Sequence, residues 1–209
     1  QHRMGDMNDT SLKLILTHIG VEVGEDGKSH QCIDYISLAQ NLFGYKLIIP
    51  ADCNQIDKAV RYIAGTPGNF ILAVGRNKMV TLRDAHGGAY FGESYRFEYG
   101  ISDWLREGND GTIITCGTMT ISAVRISDRL RSFGVKIGVL NLSCPKAIAT
   151  EDVRKAASTG ILVTWEDHNI LTGIGSIVSS VMAENGISCG IKKFGVRKYG
   201  ISAGAMENI

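Results

Sequence analysis

Short apolar runs alternate along this chain with longer stretches whose apolar residues recur at helical spacing. Residues 12–17 (LKLILT) read as a buried strand, followed by a polar, glycine-punctuated loop over 24–30. A helix is predicted over 31–42, with Ile33, Ile36 and Ala39 or Gln40 on one side, and a strand over 46–49. Asp52 and Gln55 have the spacing of a helix-capping box. The helix behind them carries Ile56, Ala59, Val60 and Ile63 as its stripe and stops at Gly65-Thr66-Pro67-Gly68. Residues 70–74 (FILAV) form the third strand, which ends at Gly75-Arg76.

The rhythm weakens over 77–111, where His86-Gly87-Gly88 and the aromatics Tyr90, Phe91, Tyr95, Phe97 and Tyr99 read as a linker. It then returns. Strands are expected over 112–115, 135–142, 161–165 and 187–194. One helix between them shows Ala123, Ile126, Leu130 and Phe133 on a face that ends at Gly134. A short one is capped at Thr150, with Glu151 and Asp152 in its first turn. The last carries Ile174, Ile177, Val178, Val181 and Met182 at i, i+3, i+4, i+7 and i+8. Strands alternating with helices imply α/β architecture in both halves, each around a mainly parallel sheet.

Composition narrows the function classes. The 209 residues are 44% hydrophobic and 21% charged, with a formal net charge of +1. The balance lacks the basic excess of a nucleic-acid binder, and no apolar stretch approaches the ~20 residues of a membrane span. The five cysteines are widely spaced with no CxxC pair, which suits reduced, mostly buried thiols in a cytoplasmic protein. The polar opening, Gln1 to Asp6, resembles no signal peptide, and its lack of an initial Met suits a piece of a longer chain.

In open parallel sheets, ligands gather beyond the carboxyl ends of the strands. His18 and Arg76 each follow a predicted strand of the first half, and Asp26 and His30 lie in the loop after His18. Arg76 offers planar donors to a phosphate or carboxylate. His18 adds a donor, Asp26 accepts from a hydroxyl, and His30 can move a proton near neutral pH. The bland readings stand beside these: an ion-paired surface arginine, structural histidines, and a turn-forming aspartate. Gly173-Ile174-Gly175-Ser176 precedes a helix without the spacing of a dinucleotide fingerprint, which favours close packing over an anion site. Glu166, Asp167 and His168 are too close along the chain to build a metal site alone and read as a solvated loop.

The string THIGVEVGEDGKSHQ, from Thr17 to Gln31, resembles the transketolase segment TH-x-x-(I/V)-x-x-GEDG-x-(T/S)HQ. The likeness continues through Leu47 to Asp52, Gly75-Arg76, GTIITCGTM from Gly111, VTWEDH from Val163, and GIG from Gly173. It is nearest to the split, two-gene type. It implies that residues 1–80 are the C-terminal part of a thiamine-diphosphate pyrimidine-binding domain, 81–110 a linker, and 111–209 a transketolase-type C-terminal domain. It also implies transfer of a two-carbon ketol unit between sugar phosphates, with thiamine diphosphate and Mg²⁺ as cofactors. His18 and Arg76 match positions that hold the sugar phosphate, and Asp26 one that contacts a substrate hydroxyl. His30 matches a catalytic position near both the cofactor and the donor hydroxyls.

The family's cofactor-activating glutamate and its diphosphate and metal ligands have no counterpart in this stretch. The chain is therefore expected to need an N-terminal transketolase section or subunit, to be incompetent alone, and to form a homo-oligomer. The C-terminal domain is expected to serve as scaffold or interface, since no titratable cluster in it converges on a strand edge. Deoxyxylulose-phosphate synthase, which typically has Ala in place of Glu25, is an alternative. The β subunit of the oxo-acid dehydrogenases and a non-catalytic assembly module are the others.

Overall fold

The fold was obtained as a computed structural model, which describes residues 2–200. The last nine residues of the expected C-terminal domain lie outside the described residues. The first half begins with α1 (His2–Met7) and β1 (Lys13–Leu16), followed by α2 (Tyr35–Gln40) and β2 (Tyr45–Ile48). It continues with α3 (Cys53–Gly65) and β3 (Asn69–Ala73). The strands pair in parallel in the order β1-β3-β2. β3 lies between two neighbours and is buried throughout, whereas β1 is an edge that leaves Ile15 and Leu16 exposed.

α3 starts where the sequence places it, with a modified cap. The Asp52 carboxylate accepts from the Gln55 N–H at 2.8 Å and from the Leu82 N–H at 2.8 Å. The Gln55 side chain accepts from the Ala51 N–H at 2.7 Å, one residue earlier than a capping box requires. The buried face is Gln55, Ala59 and Ile63, while Val60 is exposed. Gln55 turns the helix inward because its amide donates to Asp103 at 2.9 Å.

The second half contains β4 (Asp103–Arg106), β5 (Thr112–Thr115), α4 (Met119–Arg131) and β6 (Gly138–Asn141). α5 (Thr150–Ala157), β7 (Ile161–Asn169), α6 (Ile174–Glu184) and β8 (Gly190–Val196) complete it. Its sheet runs β4-β6-β5-β7-β8, parallel except where β4 meets β6. The stretch 81–110, read as linker, thus ends in an edge strand of this sheet. Its aromatics are packed: Phe91 lies edge-on to Tyr90 and Tyr95, and Phe97 to Tyr62 of α3.

Two helix details differ from the periodicity. α4 buries Met119, Thr120, Ala123, Val124 and Ser127, exposes Ile126, and ends before the exposed Phe133. Polar groups can face inward there because Ser127 donates to the Ile137 carbonyl at 2.6 Å and Thr120 to Asn141 at 3.2 Å. At α5 the N-cap is Ala149, with no side-chain bond, and Thr150 is already helical.

The two sheets share one apolar core, in which Ile19, Tyr35, Ile36 and Leu47 pack with Ile114, Leu140, Leu142 and Ile174. Polar bridges cross the same boundary. Asn141 donates to Gln55, and the Lys146 ammonium donates to the carbonyls of Ala39 in α2 and of Leu42 and Tyr45 after it. Asp52→Ala strands two buried N–H groups at once and is expected to cost about 2–3 kcal/mol in urea unfolding. Arg61→Ala, which removes an exposed i,i+4 pair with Asp57, should leave the midpoint unchanged.

Candidate active site

β1 and β3 are parallel neighbours, so the residues that follow them share one edge of the sheet. The Val74 N–H donates to Leu16 and the Ile19 N–H to Val74, which keeps the two chains together past the strands. His18 stands between these contacts with φ +62°, a conformation few non-glycine residues adopt. Its ring is exposed, with Nδ1 3.0 Å from the Thr17 hydroxyl. The loop then forms a 3₁₀ turn over Gly24–Asp26, and Gly27 closes it at φ +69°.

Arg76 crosses to this loop. Its Nη1 donates to Asp26 at 2.7 Å and to the Val23 carbonyl, which leaves its Nε and Nη2 N–H groups without a partner among the described residues. Both side chains are partly exposed, at 37% and 41%. The structure therefore joins Asp26 to Arg76 directly, and His18 and His30 make only local bonds. Nδ1 of His30 lies 3.0 Å from the Ser29 hydroxyl, which itself reaches the Asp26 carbonyl at 3.4 Å. If Ser29 donates to that carbonyl, His30 donates through Nδ1, and Nε2 is left as an acceptor. No group of three or more His, Cys, Asp or Glu placed to hold a metal occurs among the described residues.

Glu166, Asp167 and His168 correct the sequence reading. They are not a solvated loop. β7 runs nine residues instead of five, and these three lie at its end, at most 5% exposed. Each has a specific partner. Glu166 accepts from the Ile174 N–H at 2.6 Å and from the Gly175 N–H at 3.0 Å, filling the N-terminus of α6 with a carboxylate of its own chain. An added Cβ at Gly173 would stand 1.7 Å from Glu166 Oε2, so the glycines serve close packing. Asp167 accepts from the Tyr35 hydroxyl at 3.1 Å. Nε2 of His168 accepts from the Ile36 N–H at 3.1 Å, so its proton sits on Nδ1, which donates to the Asn169 carbonyl at 3.0 Å. A titratable cluster does converge on a strand end of the second half, and it grips the first.

This cluster reaches the candidate site through Gly20. With φ +76°, and with Asp167 Oδ2 only 1.8 Å from where a Cβ would lie, position 20 has room for glycine alone. The Gly20 N–H donates to the Cys32 carbonyl at 2.8 Å, closing the base of the loop that carries Asp26 and His30.

Residues 100–209 match the sequence profile of the transketolase C-terminal domain. The chain belongs to this family. A protein of Methanocaldococcus jannaschii whose name marks it as a transketolase C-terminal section is 30% identical over 94% of this chain. One subunit of an apulose-4-phosphate transketolase from Phocaeicola vulgatus is 28% identical over 85% of it. The chain spans 60% and 55% of the lengths of these two relatives. A solved split-gene transketolase, described as an inactive β4 tetramer, superposes with a TM-score of 0.77 at 30% identity. It is matched over 89% of this chain and 57% of its own.

Sequence reasoning missed the seam contacts of this family member. One signal was available: an apolar strand running straight into Glu-Asp-His, then Gly-x-Gly, supplies carboxylate and close-packing helix together. Glu22, buried in a polar loop, carried no such signal.

Burial pushes the Asp167 carboxyl up to about 6, the Tyr35 hydroxyl opposing and the Glu22 charge adding to it. Burial likewise pushes Glu166 up to about 7 against its two helix N–H partners. The folded protein therefore holds protons that the unfolded chain has released. This contribution to stability is complete below the ordinary carboxyl values of 3.8 and 4.5, and is lost as pH rises through about 6 and 7. Asp167→Asn keeps an acceptor for Tyr35 and removes one titration. Denaturant unfolding across pH 4–8 should show a decline flatter by up to about 1.4 kcal/mol per pH unit near the midpoint.

Proposed function

We propose that this chain is the C-terminal part of a thiamine-diphosphate-dependent transketolase that moves a two-carbon ketol unit between sugar phosphates. In this reading residues 1–80 end a pyrimidine-binding domain, 81–110 connect, and 111–209 form the C-terminal domain. An N-terminal section or subunit completes the enzyme, and copies of the chain associate. The observation that carries the reading is the Arg76–Asp26 pair at the carboxyl edge of β1 and β3, within a loop that keeps the whole GEDG-x-SHQ pattern.

Roles follow from the donor sets. Arg76 holds a sugar phosphate through its Nε and Nη2 edge while Nη1 stays on Asp26 and Val23, so the guanidinium is oriented before the ligand arrives. His18, exposed on the same edge, adds a second donor. Asp26, with one oxygen on Arg76, accepts from a substrate hydroxyl through its remaining lone pairs. His30, with Nε2 as acceptor, takes or returns a proton at a donor hydroxyl.

The side chains of Arg76, Asp26, His18 and His30 suit the reacting end of such a site. In this reading the N-terminal section holds the diphosphate and Mg²⁺. Thiamine diphosphate, when bound, supplies the nucleophilic carbon that the ketol chemistry needs. Five free thiols suit a cytoplasmic enzyme.

In the enzyme reconstituted with its N-terminal section, Arg76→Ala should raise KM for phosphorylated sugars by about 10- to 100-fold, with a smaller change in kcat. Sugars without a phosphate should keep their kcat/KM. Equal loss for both classes, or no loss, would overturn the phosphate assignment.

A further inference from the structure

A cleft of about 600 Å³ lies between the loop after β1, the segment after β3 and the start of α4. That volume suits a small-molecule site. Glu22 lines it at 8% exposure, and its Oε2 has no hydrogen-bond partner among the described residues. Thr118 brings a buried hydroxyl up beside this carboxyl. Both approach Gly75, where an added Cβ would lie 3.3 Å from Glu22 Oε2 and 2.8 Å from Thr118 Cγ2. Lys78 and Arg125 line the same cleft from exposed positions, and neither forms an ion pair among the described residues.

A buried, unpartnered carboxyl oxygen is costly to keep unless something donates to it. Two unpaired cations on one cleft favour an anion such as a phosphate. They also repel an ammonium group. Burial disfavours the charged form of Glu22, and the neighbouring Thr118 hydroxyl opposes that shift.

We propose that this cleft binds a small phosphorylated polyol, with its phosphate on Lys78 and Arg125 and a hydroxyl donating to Glu22. The site is separate from the Asp26–Arg76 pair and does not depend on ketol transfer. Asn77 links the two along the chain, immediately after Arg76 and on the wall of the cleft.

Met79 also lines the cleft, so its methyl group reports occupancy locally. The full-length protein, labelled with ¹³C-methyl methionine and free of thiamine diphosphate, is titrated with D-ribose 5-phosphate, inorganic phosphate and D-ribose. The Met79 signal should shift saturably with D-ribose 5-phosphate, which should bind at least about tenfold more tightly than either fragment. Lys78→Ala/Arg125→Ala, a surface change that spares the core, should weaken binding by about tenfold or more. Glu22→Gln should narrow the preference over inorganic phosphate to about twofold, and Arg76→Ala should leave the Met79 response intact. A Met79 signal that stays still, or a double variant that binds as tightly as the parent, would overturn the site. Loss of the response in Arg76→Ala would merge it with the Asp26–Arg76 site, and an unchanged preference in Glu22→Gln would remove the hydroxyl contact.

Discussion

Burying three consecutive polar side chains at the end of β7 is the constraint around which the two halves are arranged. Glu166, Asp167 and His168 cannot be left unpartnered away from water. α6 supplies two N–H groups to the first, the Tyr35 hydroxyl serves the second, and the Ile36 N–H serves the third. Two of those partners belong to the other half. The strand can therefore keep its polar end buried only while α2 is docked against it. The main chain repeats the join, since the Asn169 N–H donates to the Ile33 carbonyl at 2.8 Å.

The same constraint reaches the candidate site by packing. Asp167 occupies the space a side chain at position 20 would need, and Gly20 begins the loop that carries Asp26 and His30. From there the order passes to the Gly24–Asp26 turn and to the Arg76 bond across it. A C-terminal domain that holds no residue of the Asp26–Arg76 pair thus still determines where that loop sits. Its contribution is positional, which gives a physical meaning to a scaffold role.

Much of this was legible in the sequence, and the boundary of legibility is itself physical. Strands such as β3 and β5 were found because burial on both faces demands continuous apolar runs. The capping aspartate of α3 was found because its bond is local. Arg76, Asp26, His18 and His30 were chosen from residue type and strand-end position, and the parallel pairing of β1 with β3 brings the first two into contact. What was hidden depends on partners distant along the chain. The buried faces of α3 and α4 turned toward Gln55, Thr120 and Ser127, whose acceptors lie 10 to 48 residues away. Glu166–His168 look solvated until Tyr35 and Ile36, 132 residues apart from their partners, are placed beside them.

Native-state hydrogen exchange on the Ile36 and Gly20 amides, compared with those of β5 and β7, tests the dependence of the site loop on the seam most directly. Both amides are bonded in the join or at the loop base, to His168 and Cys32 respectively. If the seam holds the loop, they should exchange only with global unfolding, at free energies matching the core of the second sheet. Exchange of Ile36 and Gly20 through a low-energy opening, while β7 stays protected, would show that the halves separate freely and would contradict the account.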